Sequence, residues 1–594
     1  NPDEIPSWWT GDVDVYMPVA FSRQFLWGWP VGQAAGDLRA AGLRMEFDIE
    51  SPYSNEIALA PSKTTFGAAA LIIDPHLGWF GRQRYWEVRI HAGDIHISGF
   101  ATAGFPYVNL GHNEHIAWAH TTGGPDTADV YELTLDPDDP TRYRYDDGHR
   151  SITTRDVAVN VKDEDEPRRV TFYDTPHGPI VAWNEGKAYA AKLAYADAIG
   201  YLESKYYFMI AEDYRGAMKA LDICQIMPQN VMIADTGGNI YYQRTGRVPI
   251  RPEGYDFSRP VDGSTSATEW RGLHPTKDFV QVLNPPQGYM QNCNITPDVM
   301  MVDSPMQKTN YPEYIWNQPA MYTHQRATRA TEVLHTTEKF SAEDVIELAL
   351  DRKAYQYERW LTQLENADKA VPGDRSDRYR MGLNDLLAWD GFQHRDSTGA
   401  LKYYYWKQAL RDSLGKDAYD ALTDKVNNYL DLFGLMVKVV PVSRDEQDAL
   451  VRAFESALRR ILDSHGSLDV VFGDVFRAGR LDYDGDDVSW PVGGGSLRDE
   501  GMATVRAIGF DAARPDHTRW GNGGQTSTEV VLLTDPIQSW TQPPIGQSDR
   551  PDSPHFRDQA EKLLSEGKMK PSWFQKSDLL DGHVREEITL VYPD

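Results

Sequence analysis

The sequence predicts an α+β protein, a layered β-rich core interrupted by a run of helices. Three observations predict it. From Asn55 to about Val130, apolar and alternating runs of strand type are punctuated by Gly, Pro and Asn. From about Thr323 to Leu462, the apolar period becomes that of a helix. The tail returns to strand texture in STEVVLLT and EITLVY.

The first 53 residues are rich in Trp, Phe and Met, as in VAFSRQFLW and WGWP, and read as part of a packed unit too short for a domain. AAALIID, YWEVRIHAG and HIAWAHTT follow as strands, and NVMIADTGGNIYYQRTG reads as a hairpin turning at Gly237-Gly238. In SRDEQDALVRAFESALRRIL, Leu450, Phe454, Ala457, Leu458 and Ile461 share one helical face. Ser443 and Glu446 stand three apart at its start, as a capping box requires. GGGS and GNGG read as loops, and neither opens a helix after a strand, so nucleotide binding has no support. No internal repeat or low-complexity segment breaks the chain.

With 41% hydrophobic and 25% charged residues, the chain has the composition of a soluble globular protein. Its 88 Asp+Glu against 60 Lys+Arg give a net charge of −28, and no basic patch offers a nucleic-acid face. Cys224 and Cys293 are too few for a disulfide framework or a CxxC metal site. No apolar run is long enough to span a bilayer, and Asn1-Pro2-Asp3-Glu4 does not resemble a signal peptide.

The usual catalytic signatures GxSxG, HExxH and the Walker loop are absent. HNEH, from His112 to His115, lacks a third metal ligand and reads as structural. DYDGDD, from Asp482 to Asp487, has a misplaced glycine for a calcium loop and Gly493 at its twelfth position, so it reads as a polar turn. What remains is an ordered set: SNEIALAP at Ser54, DPHLGW at Asp74, GHNEHIAWAHTT at Gly111, DTADVYELTLDPDDPTRYRYDDG at Asp126, NCNITP at Asn292, and the pair Arg326 and Arg329. The tail adds IGQSDRPDSPHFRDQ.

From about Trp9 to the C-terminus, this set resembles the penicillin acylase family, which includes acyl-homoserine-lactone and aculeacin-type acylases. His76 follows Ser54 by 22 positions, Thr122 by 68 and Asn294 by 240, with spacing similar to the family's. The resemblance implies a four-layer αββα sandwich of the N-terminal-nucleophile type. Residues 1–53 would be the end of a small-subunit-like segment with linker. Residues 54–594 would be the catalytic region, with a core at about 54–320 and 500–594 and a helical insertion at about 321–480.

The chemistry implied is hydrolysis of a linear carboxamide. Cleavage before Ser54 would free its α-amine, whose reference pKa of about 7.7–8.0 suits a base near neutrality. The Thr122 backbone N–H and the Asn294 side chain would hold the oxyanion, His76 would orient the serine and its amine, and Arg326 would anchor the asparagine loop or polarise the site. Phe21, Phe25, Leu77 and Trp79 would face the acyl group. The implied substrate is a fatty or aryl N-acyl amide, and the implied protein partner is the chain's own small subunit after processing. Export to the periplasm or outside follows family habit.

The same resemblance implies one structural Ca2+ held by Asp126, the Ala128 carbonyl, Asp129 and Asp303, and no organic cofactor. The upstream carboxylate that the family adds is missing from Gln24 to Gln33. Tyr53 precedes the serine where many relatives have Gly.

Taken singly, Ser54-Asn55 after Pro-Tyr is a turn, His76 a strand-end cap, and Asn294 a turn residue within an Asn-Ile-Thr sequon. Two other readings compete. A β-rich glycosidase would use two carboxylates, and nothing fixes such a pair. A non-catalytic relative would keep the fold as a binding or assembly protein, with the Ser54 amine locked in a peptide bond.

Overall fold

The computed structural model describes residues 14, 16–43, 53–162, 164–435, 441–480, 488–497, 499 and 501–583. The DYDGDD segment and the expected terminal strand EITLVY lie outside the described residues.

A mixed α+β architecture emerges, with sheets of eleven, seven, six and two strands among the described residues. In the eleven-stranded sheet, the serine strand Tyr53–Leu59 runs antiparallel to both Ala70–Gly78 and Tyr289–Asn292. The seven-stranded sheet contains Ile116–Thr122 paired with Gln229–Asp235, which turns at Gly237-Gly238 into Ile240–Thr245 as the hairpin signal predicts. These sheets face each other. Ile57, Leu71 and Val530 from one share a core with Phe100, Ala117 and Met232 from the other. Buried on this inner side, the strands read as nearly continuous apolar runs.

Helices pack against these sheets. Tyr201–Met209 and Tyr214–Asp222 cover Trp118, Val231 and Ile233. Gln325–Thr336 and Ala342–Ala349 contribute Ala327, Leu334 and Val345 to the central core. A second core gathers Leu364, Leu386, Trp406, Leu450 and Phe454 from the later helices. The helix Arg444–His465 begins with both hydrogen bonds of the Ser443–Glu446 capping box, and its predicted apolar face is buried.

One loop expectation is corrected. GNGG lies inside the strand Arg519–Gln525. A Cβ on Gly521 would stand 2.7 Å from the Trp79 ring, and one on Gly524, at φ +102°, would stand 2.4 Å from the Ala507 carbonyl. Glycine serves close approach here, which a turn-based reading of Gly-rich sequence misses.

The leading helix, Met17–Ala40, is held at several points. Trp27 Nε1 donates to the Tyr195 carbonyl at 3.1 Å, and Gln33 donates to Pro125 O at 3.0 Å and accepts from Thr127 N at 3.0 Å. Phe21, Gln24, Phe25, Gly28 and Trp29, at helical spacing, line one cavity with the serine strand.

Candidate active site

Ser54 lies at the start of its strand and is 4% exposed. Its backbone N–H donates to Asn294 Oδ1 at 2.8 Å, and its carbonyl accepts from Arg326 Nη1 at 2.7 Å. Its Oγ donates to the Tyr53 carbonyl at 2.5 Å. Pro75, its partner in register, and Leu77 lie on the same side of the sheet, where all three border a cavity of about 210 Å³. Thr122 and Gln229 border it from the opposing sheet.

Asn294 is fixed by its partners. It sits in left-handed backbone, at φ +69°, and its Oδ1 accepts from Ser54 N and, at 2.9 Å, from Arg326 Nη2. Its Nδ2 donates to the Thr122 carbonyl at 3.0 Å. Arginine only donates and a carbonyl only accepts, so the network dictates which way the amide faces. One Nδ2 proton serves Thr122, and a primary amide has a second. Asn230 Nδ2 braces the same Thr122 carbonyl at 3.1 Å.

Arg326 enters from the first turn of Gln325–Thr336, whose amide Ala327 N is capped by the His324 ring. It is 1% exposed, donates also to Cys293 O at 2.9 Å and to Asn55 Oδ1, and its guanidinium lies 5.8 Å from the Tyr53 ring centre. The sequence assigned this residue to the asparagine loop, and the structure places it on both that loop and the serine strand.

His76 is placed differently from its expected position. It pairs with Tyr53 rather than Ser54 in register, and strand alternation turns its ring to the face opposite the serine hydroxyl. Its Nε2 lies 3.0 Å from Asp74 Oδ2, and burial holds its pKa below the ordinary value. Asp74 Oδ2 also accepts from Asn55 Nδ2 at 2.7 Å and Gln525 Nε2 at 2.9 Å, while its Oδ1 accepts from Thr528. His76 Nε2 also lies 3.4 Å from Asn55 Nδ2, and Asn55 Oδ1 accepts from Arg326, which donates to the Ser54 carbonyl. The sequence reading missed Asn55 and Asp74, although both stand within the quoted motifs SNE and DPH.

Of the expected acyl-pocket residues, Phe21, Phe25 and Leu77 border the cavity. Phe21 stacks on Phe105 with ring centres 4.7 Å apart. Trp79 does not belong with them. It is 1% exposed in the second core, and its Nε1 donates to Gln525 O at 3.0 Å. Polar residues that the sequence did not single out also border the cavity, among them Gln24, Arg82, Asn109, His120 and Lys205.

The expected calcium ligands gather around a guanidinium. Arg251 Nε lies 2.9 Å from Asp129 Oδ2 and Arg251 Nη2 lies 3.0 Å from Asp126 Oδ2. Arg251 also donates to the Asp126 and Ala128 carbonyls, each at 3.3 Å. Asp303 is exposed, at φ +55°, with its carbonyl accepting from Gln287 at 2.9 Å, and does not join the set. Asp37, further along the leading helix, lies near this group. Burial, then Asp126 and Asp129, push its pKa up to about 9, and its Oδ2 has no partner. Among the described residues no three acidic, histidine or cysteine side chains are placed to hold a metal ion. Calcium takes six to eight oxygens, and as arranged these donors fit an internal cation instead.

In HNEH, the first histidine is held by hydrogen bonds within the fold. His112 is buried, with Nδ1 3.1 Å from Asn113 O and Nε2 3.1 Å from Ser539 Oγ. Cys224 and Cys293 are both free thiols. No described helix is long and apolar enough to cross a membrane.

Ser54 thus begins its strand beside a cavity and is clasped by an asparagine and an arginine. The penicillin amidase family model matches residues 10–580, and the chain belongs to that family. It is 24% identical over 510 residues to an acyl-homoserine lactone acylase PvdQ of Pseudomonas fluorescens, covering 77% of this chain and 64% of that one. It is 26% identical over 362 residues to a penicillin G acylase of Escherichia coli, covering 58% and 40%. The fold resembles that of a thermostable penicillin G acylase from Alcaligenes faecalis, with a TM-score of 0.63 and 21% identity, covering 91% of this chain and all of that one.

Proposed function

We propose that this chain is an amide hydrolase with Ser54 as its nucleophile, built on a four-layer αββα sandwich with a helical insertion. The observation that carries the reading is the clasp on Ser54, whose N–H and carbonyl are both held while the residue borders the cavity. Cleavage of the Tyr53–Ser54 bond would convert that N–H into an α-amine. The amine takes the hydroxyl proton through a water, and Oγ attacks the amide carbonyl. The second Asn294 Nδ2 proton and the Thr122 N–H face the developing oxyanion. The amine product departs, and water releases the acyl group from Ser54.

The substrate is a linear N-acyl amide with a fatty or aryl acyl group. The names of the relatives, acyl-homoserine lactone acylase and penicillin G acylase, support that range. The segment before Ser54 acts as the end of a small subunit that lines the pocket. The periplasm or the cell exterior is the proposed location.

Intact masses under denaturing conditions, with N-terminal sequencing and a screen of N-acyl 4-nitroanilides, test this reading. A chain beginning Ser-Asn-Glu that releases nitroaniline is the expected result. A single uncut, inactive chain would favour the binding-protein alternative and remove the catalytic roles.

A further inference from the structure

Two arginines meet over Gly567, and neither lines the cavity beside Ser54. A Cβ at this glycine, which stands at φ +63°, would lie 2.8 Å from Arg506 Nη1 and 3.2 Å from both Arg352 Nη1 and Nη2. The two guanidiniums therefore turn their ends toward one small space, although like charges repel. Arg506 is fully buried. Its Nη2 donates to the Leu564 carbonyl, while its Nε and Nη1 are buried without a partner. Burial first, then Arg352 and Arg395, push its pKa down to about 9, so it remains a cation at neutral pH. Arg352 is half-buried, and among the described residues no acceptor takes a hydrogen from its guanidinium.

The carboxylates nearby are engaged elsewhere. Asp351 favours the charge on Arg352, but its Oδ2 pairs with Arg329 at 2.8 Å. Asp396 acts in the same sense and is itself exposed. Asp74 acts on Arg506, yet its oxygens accept from Asn55, Gln525 and Thr528. Glu566 is held by Arg395 at 2.8 Å, so this third arginine adds charge to the cluster while its own bonds go to Glu566 and Ser565. A buried charge left without a partner is strongly destabilising. Gly567 and Arg352 are both partly exposed, which gives a small ion a way in from solvent.

We propose that Arg352 and Arg506 hold a small tetrahedral oxyanion, inorganic phosphate or sulfate, at Gly567. Such an ion has several oxygens, and two planar forks can donate to it from two sides at once. The backbone links this site to the Ser54 clasp. The carbonyl of Val505, next to Arg506, accepts from Asn55 Nδ2 at 2.9 Å, and Arg506 N donates to Asp351 O at 2.8 Å. Asp351 pairs in turn with Arg329, one turn along the helix that carries Arg326. The oxyanion thus fastens the strand Ala507–Phe510 to the segment that leads into the later helices, and it stabilises the fold without touching substrate. The assignment does not depend on Ser54 being the nucleophile.

Isothermal titration calorimetry on the full chain, in chloride buffer at fixed ionic strength, tests it with inorganic phosphate and sulfate as probes and acetate as the control. At least one of the two oxyanions should bind one to one with a Kd below about 1 mM, and acetate about tenfold more weakly or worse. R352Q should weaken oxyanion binding by about tenfold or more, the scale of one charge-assisted hydrogen bond. The same oxyanion should raise the melting temperature of wild type more than that of R352Q. Should R352Q fail to fold, R352K keeps the charge but loses the fork, and a similar weakening is expected. No binding of either oxyanion, equal binding of acetate, or unchanged affinity in the variant overturns the proposal and leaves the hydrolase reading untouched.

Discussion

Arg326 and Asn294 form one unit. The Nη2 of Arg326 donates to Asn294 Oδ1 at 2.9 Å while its Nη1 donates to the Ser54 carbonyl at 2.7 Å. A planar fork with fixed nitrogens ties the serine strand to the asparagine loop in one geometry, and lysine cannot reproduce it. R326K should therefore fold and keep its charge but lose alignment of the site. The expected result is a fall in kcat of about a hundredfold, with less change in KM, since misplacement by about 1 Å has that scale of effect. An unchanged kcat would show that the clasp does not matter to the reaction.

Asn294→Ala removes the side-chain donor of the proposed oxyanion site. Loss of one such donor costs about 2.7–4 kcal/mol of transition-state stabilisation, a factor of about 100 to 1,000 in kcat. The same change takes away the acceptor for Ser54 N, so processing should slow as well. Time-resolved masses and steady-state rates on the processed fraction separate the two effects. Full activity in the processed fraction would assign the oxyanion to other donors.

Much of this site was legible in the sequence, and the remainder was hidden for physical reasons. Ser54, Thr122, Asn294 and Arg326 lie on four separate elements, and ordered spacing brings out such a set where no single motif would. Spacing does not say which face of a strand a side chain takes. The ring of His76 takes the face opposite Ser54 because its register partner is Tyr53. Trp79 and GNGG were misread together, since the ring packs on the glycine strand rather than in the pocket. Lys205 carried no sequence signal, because a lysine on a short helix is ordinarily solvated and only burial makes it informative.

The carboxylates around Arg251 make stability depend on pH. An unfolded Asp titrates near 3.9, whereas in the fold burial and two acidic neighbours push Asp37 up to about 9. Between those values the native state holds a proton that the unfolded state has lost, so this group lowers stability as pH rises from about 4 to about 9. Asp129, pushed up to about 7, contributes in the same sense over the lower part of that window. D37N should melt with wild type at pH 5 and above it by at least about 2 °C at pH 8.5. A constant gap across that range would show that Asp37 does not titrate as described. If millimolar calcium closed the gap by raising wild type alone, the carboxylates would be holding an ion.

Gly521 supplies the last test, because it separates the second core from the cavity. A Cβ there would meet Trp79 Cζ3 at 2.7 Å and Cη2 at 2.8 Å, with Ile508 Cγ2 at 3.1 Å. The indole cannot easily withdraw, since it is 1% exposed and its Nε1 is bonded to Gln525 O at 3.0 Å. Overpacking of this kind costs about 1–3 kcal/mol. G521A should therefore lower the melting temperature while the folded fraction keeps its acyl-chain preference, because Trp79 lies outside the cavity that Phe21, Phe25 and Leu77 border. A shift in preference between short and long acyl amides, at unchanged stability, would return Trp79 to the pocket.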